Sequence, residues 1–153
     1  MEKKVLVGGV FDILHPGHVF FLRKAREMGD RLVVVVARDK TVVKEKGRKP
    51  IIPEDQRREM VEALKPVDKA ILGHDRKIET IKMVKPDIIV LGHDQKVDEA
   101  KLRRELAEHG LGCRVVRLGE TYSCHLPSTS QILRQVADWL ERQNKEKKGG
   151  DKD

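Results

Sequence analysis

Two histidines separated by two residues are the side chains of this sequence best suited to chemistry. His15 and His18 lie in a His-Pro-Gly-His segment that follows a strand-like run ending in two glycines. Pro16 and Gly17 are typical of a helix start, whose free N–H groups and dipole favour a bound phosphate. Both imidazoles could then donate hydrogen bonds to oxygens that gain charge in a phosphoryl or nucleotidyl transfer. The alternative is that each histidine only caps or packs against the helix; for this pair we favour the chemical role.

An alternation of strands and helices must position these residues. Apolar, β-branched runs predict five strands, at residues 4–9, 32–37, 69–72, 87–91 and 113–118. Helical spacing predicts helices at 19–28, 53–64, 77–84, 98–109 and 130–143, with a basic loop at 40–49. The pattern predicts an α/β fold: a single-domain, Rossmann-like open parallel sheet of about five strands with helices on both faces. We expect the domain to span 1–143 and a charged, flexible tail to span 144–153.

The strand ends locate the expected binding edge. In open parallel sheets, ligands bind outside the carboxyl ends of the strands, near the point where the strand order reverses. Four stretches of the sequence should meet there: 8–18, 38–49, 92–95 and 119–129.

Composition excludes several classes of protein. The chain has 153 residues, two cysteines without metal-ligand spacing and a longest apolar run over residues 32–37, which is too short to cross a bilayer. The formal net charge of +7 suits an anionic partner. Aromatic residues make up only 3% of the chain, too few for a stacking platform for single-stranded nucleic acid. We expect a cytoplasmic protein without a membrane or nucleic-acid partner and without a secretion signal.

The histidine segment also carries a family resemblance. Residues 9–12 (Gly-Val-Phe-Asp) and 15–18 (His-Pro-Gly-His) resemble the first signature of the HxGH nucleotidyltransferases of the cytidylyltransferase type. Residues 127–132 (Pro-Ser-Thr-Ser-Gln-Ile) resemble the family's second signature, which opens the last helix. Val10 stands where the family usually has threonine, so a side-chain hydroxyl is missing there. The two signatures lie at opposite ends of the chain, and together they indicate nucleotidyl transfer.

Within that family, the middle of the chain is most similar to the archaeal FAD synthases. The resembling stretches are residues 37–39, 47–53, 56–61 and 86–95. The resemblance implies that ATP and FMN are the substrates, that AMP is transferred, and that a divalent ion such as Mg²⁺ arrives with ATP. It also implies a homodimer.

The resemblance assigns roles to individual residues. His15 and His18 would be catalytic. Arg57 would reach the triphosphate, and Asp94 would contact the nucleoside, although Asp94 could instead cap a helix. The implied ATP contacts are Gly9, Val10, Phe11, His15, Pro16, Gly17, His18, Arg57, Asp94, Ser128 and Thr129.

Three further residues are candidates for roles near the site. Lys44, in the basic stretch, is a candidate phosphate contact. Asp12 could hold the neighbouring loop or a metal. Cys124 lies close to the second signature, where a thiolate would make activity sensitive to oxidation.

Other functions remain open at this stage. A glycerol-3-phosphate cytidylyltransferase would have nearly identical motifs. A nucleic-acid-binding domain would explain the basic charge, but the basic residues are scattered among acidic ones. A catalytically inactive nucleotide sensor would not require both His15 and His18.

Overall fold

A computed structural model of the chain describes residues 1–120, 122–123 and 128–150. The strands are β1 (Lys4–Gly9), β2 (Arg31–Val36), β3 (Lys69–Leu72), β4 (Ile88–Leu91) and β5 (Arg114–Arg117). The helices are α1 (Pro16–Arg26), α2 (Asp39–Lys46), α3 (Glu54–Glu62), α4 (Lys77–Val84), α5 (Glu99–Glu108) and α6 (Thr129–Gly149).

The five strands form one parallel sheet in the order β3-β2-β1-β4-β5. The central strand β1 pairs with β2 along its whole length, from Lys4 opposite Arg31 to Gly9 opposite Val36. On its other side, β1 pairs with β4. The runs of valine, isoleucine and leucine suit strands that are covered on both faces.

Helices cover both faces of the sheet, and alternate residues of β1 serve the two sides. Val5 and Val7 face α1 and α3, in a cluster with Leu22, Val34 and Val61. Leu6 faces the opposite way, in a second cluster formed largely by α4, α5 and their strands: Val33, Ile78, Ile81, Ile89, Leu106 and Val115.

The strand order reverses between β1 and β4. The chain builds outward from β1 through β2 to β3, and then returns across the sheet to place β4 beside β1. The crevice of such a fold lies at this reversal, outside the carboxyl ends of the two strands. The predicted single-domain parallel fold is therefore confirmed, with its binding edge next to the histidine segment.

Two predicted boundaries are wrong. The stretch 40–49, predicted as a loop, contains helix α2, in which Val42 is buried and Gly47 ends the helix at a φ of +73°. Most residues of this stretch are charged and only Val42 is well buried, so the apolar spacing that indicates a helix was too weak to recognise. The last helix also continues past residue 143 to Gly149. Its surface carries Val136, Trp139 and Leu140, each about half exposed.

Within the described part of the chain, no helix combines the length and apolarity needed to span a bilayer.

Candidate active site at the start of helix α1

The turn between β1 and α1 is held in an unusual backbone conformation. Phe11 has a φ of +51°, a left-handed conformation that costs a non-glycine residue roughly 1 kcal/mol or more. The residue is only 4% exposed, and the centroid of its ring lies 5.4 Å from that of the His18 ring. A Cβ atom on Gly9 would lie 2.8 Å from Cε2 of Phe11, so only glycine leaves room for the buried ring. Burial of Phe11 therefore fixes the turn beside the histidines.

His15 and His18, hereafter the histidine pair, cap the start of α1 reciprocally. His15 is the N-cap residue, and its Nδ1 accepts a hydrogen bond from the amide of Gly17 at 3.1 Å. The amide of His15 donates in turn to Nδ1 of His18 at 3.3 Å. The two rings stack with centroids 3.8 Å apart. The capping alternative raised by the sequence is thus correct, and it remains compatible with chemistry.

The caps determine which ring nitrogens remain for a ligand. A backbone N–H can only donate, so each Nδ1 must act as an acceptor without a proton. A neutral imidazole then carries its single proton on Nε2. Both rings of the histidine pair therefore keep an Nε2–H donor, which suits an anionic oxygen.

Electrostatics favour this neutral form. Burial lowers the pKa of His15. It also lowers the pKa of His18 to about 4, with a further lowering by His15 and an opposing effect of Asp94. At neutral pH both rings are uncharged donors, as the hydrogen bonds require.

Arg57 is buried behind the site rather than exposed in it. Its guanidinium donates to the carbonyl of Val10 at 2.7 Å, to the carbonyl of Ile52 at 2.8 Å and to Oδ1 of Asp39 at 2.7 Å. The side chain has no exposed surface. This arrangement contradicts the expected contact between Arg57 and the triphosphate, because all three nitrogens are already engaged. Arg57 instead fixes the Val10 carbonyl, immediately before Phe11.

Asp12 fastens the same turn to the loop before α3. Its carboxylate accepts hydrogen bonds from the amides of Ile51, at 2.9 Å, and Ile52, at 2.8 Å. Of the two roles considered for Asp12, the structure supports holding the loop.

The second signature meets the first in space. Ser128 is the N-cap residue of α6, and its Oγ accepts from the amide of Gln131 at 3.2 Å. The Thr129 hydroxyl donates to the carbonyl of Ile13 at 3.2 Å, across 116 positions of sequence. The hydroxyl-rich start of α6 therefore lies beside the β1–α1 turn, as expected from the placement of both stretches at the carboxyl ends of the strands.

Asp94 lies in the turn that follows β4. It is exposed, and its charge acts on His18, so the turn and the histidine pair share one edge of the sheet. The N-cap alternative for Asp94 is wrong, because α5 is capped by Asp98, which accepts from the amide of Lys101 at 3.1 Å.

The sequence missed two residues that shape this edge. The Gln95 side chain accepts from the amide of Gly92 at 2.7 Å and donates to the carbonyl of Gly8 at 2.9 Å, which joins the ends of β4 and β1. Arg117, the last residue of β5, donates to backbone carbonyls of the turn after β4. An arginine at the carboxyl end of a short strand, next to the expected binding edge, was the available signal for Arg117.

The structure gives less information about the remaining candidate site residues and the cysteines. Lys44 is exposed on α2. Cys124 and Pro127 fall outside the residues that the structure describes. Cys113 is half-buried, and burial raises the pKa of its thiol, which keeps it protonated at neutral pH.

No group of three or more His, Cys, Asp or Glu side chains that could hold a metal ion occurs among residues 1–120, 122–123 and 128–150.

Comparison with known proteins places this geometry in a family. The chain belongs to the cytidylyltransferase-like family, whose model matches residues 6–135. The FAD synthase of Methanopyrus kandleri is 53% identical over 146 residues, which cover 93% of this chain and 97% of that protein. The FAD synthase of Aciduliprofundum boonei is 54% identical over 136 residues, covering 88% and 91% respectively.

A solved structure agrees with the fold. The lipopolysaccharide core biosynthesis protein from Thermoplasma volcanium superposes with a TM-score of 0.76 at 45% identity, over 80% of this chain and all of that one. The resemblance identified from the two signatures is therefore confirmed at the level of the family.

Proposed function

We propose that this chain is an FAD synthase, which transfers AMP from ATP to FMN and releases pyrophosphate. The observation that carries the proposal is the histidine pair at the start of α1, capped so that each ring accepts through Nδ1 and carries its proton on Nε2. The similarity to FAD synthases over about nine-tenths of the chain supports the choice of substrates.

The reaction is a single displacement at phosphorus. A terminal phosphate oxygen of FMN attacks the α-phosphorus of ATP, a new P–O bond forms, and the bond to the β-phosphate oxygen breaks with its electron pair. Pyrophosphate departs opposite the incoming oxygen. No enzyme nucleophile is required, since catalysis consists of positioning and charge stabilisation.

The histidine pair supplies the charge stabilisation. Its Nε2–H groups donate to the α-phosphate and to the bridging oxygen, where negative charge grows as the bond breaks. The dipole of α1, whose positive end faces the site, adds to this stabilisation. Neutral rings suit the task, because they donate without requiring a protonation step at physiological pH.

The surrounding elements hold the nucleotide. The backbone of Gly9, Val10 and Phe11 lies against the nucleotide, followed by the helix start at 16–17. Ser128 and Thr129 contact the distal phosphates, a role supported by the bond from Thr129 to the β1–α1 turn. Asp94 contacts the nucleoside.

Several parts of the proposal rest on the resemblance alone. Mg²⁺ enters as part of the nucleotide substrate, and Lys44 contacts a phosphate when ATP binds. Sensitivity to oxidation at Cys124, the homodimer and the cytoplasmic location stay predictions.

A product assay tests the proposal. The full-length protein is incubated under reducing conditions with Mg²⁺ and each pairing of ATP or CTP with FMN or glycerol 3-phosphate. Pyrophosphate is measured and the products are separated by chromatography. We expect FAD only with ATP and FMN. CDP-glycerol would keep the reaction type and overturn the substrates; no product in any pairing would overturn the proposed function.

A further inference from the structure

The Arg117 guanidinium organises the turn that carries Asp94. Nη1 donates to the carbonyls of Gly92, at 2.9 Å, and Gln95, at 2.8 Å, and Nη2 donates to the carbonyl of Val97 at 3.0 Å. Nε donates to a carboxylate oxygen of Glu99 at the start of α5. One side chain, only 27% exposed, therefore donates hydrogen bonds to three backbone carbonyls within residues 92–97.

The same turn is attached to the central strand on its other side. The Gln95 amide group accepts from the Gly92 amide and donates to the Gly8 carbonyl, so it spans the crevice between β4 and β1. Gly8 is the second-last residue of β1, the strand that leads to the histidine pair. The two side chains, Arg117 and Gln95, thus fix residues 92–97 with respect to both β5 and β1.

The position of this turn matters at the histidine pair. Asp94 lies between Gly92 and Gln95, whose carbonyls Arg117 holds; it is exposed at the crevice and influences the pKa of His18. A shift of the turn would move the Asp94 carboxylate with respect to the histidine pair. Such a displacement need not be large, since misplacement by about 1 Å can cost roughly 100-fold in rate or binding.

We propose that Arg117 is a positioning residue for the nucleotide: by holding the carbonyls of residues 92–97, it sets the distance between Asp94 and the histidine pair that a bound nucleoside triphosphate requires. This inference rests on the proposed function, in which Asp94 contacts the nucleoside. Arg117 itself touches no substrate.

Only arginine provides the required geometry. The planar guanidinium presents donors in a fixed fork, so it can bond several carbonyls at once. Lysine carries a single ammonium on a flexible stem and cannot span Gly92, Val97 and Glu99 together. Arg117→Lys should therefore weaken the turn while it keeps the charge, and Arg117→Gln should weaken it further.

The test is steady-state kinetics on Arg117→Lys and Arg117→Gln, with direct calorimetric titration of ATP. We expect KM for ATP to rise about 5-fold in the lysine variant and 10-fold or more in the glutamine variant. KM for FMN should stay within about 2-fold. Arg103→Lys is the matched control: Arg103 also contacts Glu99 and donates to the Val115 carbonyl, away from the turn, and should leave KM for ATP unchanged.

A double-mutant cycle separates positioning from a general loss of structure. If Arg117 acts through Asp94, then Arg117→Gln should raise KM for ATP less than 2-fold in an Asp94→Asn background. The inference would be overturned if Arg117→Gln raised KM for ATP equally in the parent and the Asp94→Asn backgrounds. It would also be overturned if Arg117→Gln raised KM for ATP and KM for FMN equally.

Gln95→Met provides an independent test of the inference if the Arg117→Gln variant does not fold. It releases the turn from β1 while Arg117 stays in place, and it should also raise KM for ATP selectively. An unchanged KM would count against the inference. A parent enzyme that forms no FAD would instead refute the proposed function, so the two failures are distinguishable.

Discussion

The amide of His15 donates a hydrogen bond to Nδ1 of His18, 3.3 Å away. This one contact affects both the formation of helix α1 and the protonation of the ring to which we assign chemistry. It satisfies a free N–H group at the helix start, and it also selects the His18 tautomer that carries its proton on Nε2. In the proposed mechanism, the helix cap and catalysis thus use different nitrogens of the same ring.

Two substitutions of His18 should separate these roles. Asparagine can still accept from the His15 amide through its side-chain oxygen, whereas alanine cannot. We expect His18→Ala and His18→Asn both to lower kcat about 100-fold or more. Only the alanine variant should also lose about 1 kcal/mol of unfolding free energy, from the lost cap. His109→Ala, at the exposed end of α5, is the control; a parent-like kcat in either His18 variant would refute the catalytic assignment.

The pKa of His18 predicts a pH dependence of stability. Its pKa falls from 6.5 in the unfolded chain to about 4 in the fold. Between these values the unfolded chain binds a proton that the folded chain does not. The unfolding free energy should therefore decrease as the pH falls from about 6.5 to 4, with roughly 3 kcal/mol due to this group. Denaturant unfolding at several pH values measures it; His18→Asn should flatten the dependence, and an identical slope would contradict the shift.

Arg57 and its neighbour Arg58 provide a matched comparison. Arg57→Lys leaves one donor group for the three acceptors at Val10, Ile52 and Asp39, and should lower the unfolding free energy by about 3 kcal/mol. Arg58 makes an exposed pair with Glu62, so Arg58→Lys should change stability by less than about 0.5 kcal/mol. If Arg57→Lys kept full stability and raised only KM for ATP, the arginine would contact the triphosphate directly.

Thr129 tests the contact between the two signatures. Thr129→Val keeps the shape of the side chain but removes the hydroxyl that donates to the Ile13 carbonyl. We expect KM for ATP to rise about 5-fold, because the start of α6 is then released from the β1–α1 turn. Ser130→Ala, at the exposed next position, should have no effect. Equal kinetics for the two variants would show that this contact is not used.

The fold could be predicted from sequence because its strands are short, apolar and separated by helical spacing. The valine-rich run of β2 and the apolar residues of β4 left few alternatives to buried strands. Helix α2 was missed because its signal amounts to one buried valine among charged residues, and tertiary contact outweighed that local pattern.

Residue type and spacing predicted that the histidine pair lies at the start of a helix, and the structure confirms that position; the catalytic role of the pair stays a prediction. The role of Arg57 could not be inferred in that way. Whether an arginine on a helix points outward or inward depends on acceptors outside the helix, here the carbonyl of Val10, 47 positions away, and that of Ile52 in the loop before α3. The same holds for Arg117, whose acceptors lie about 20 to 25 positions earlier in the chain.

The stereochemistry at the transferred phosphorus tests the central claim most directly. The protein is incubated with FMN and a single diastereomer of the α-thio analogue of ATP, and the configuration of the flavin dinucleotide product is determined by phosphorus NMR. One in-line displacement, aided by the histidine pair without a covalent intermediate, predicts a flavin dinucleotide with inverted configuration. Retention would indicate an adenylylated enzyme formed in two steps and would contradict the account, as would the absence of the dinucleotide.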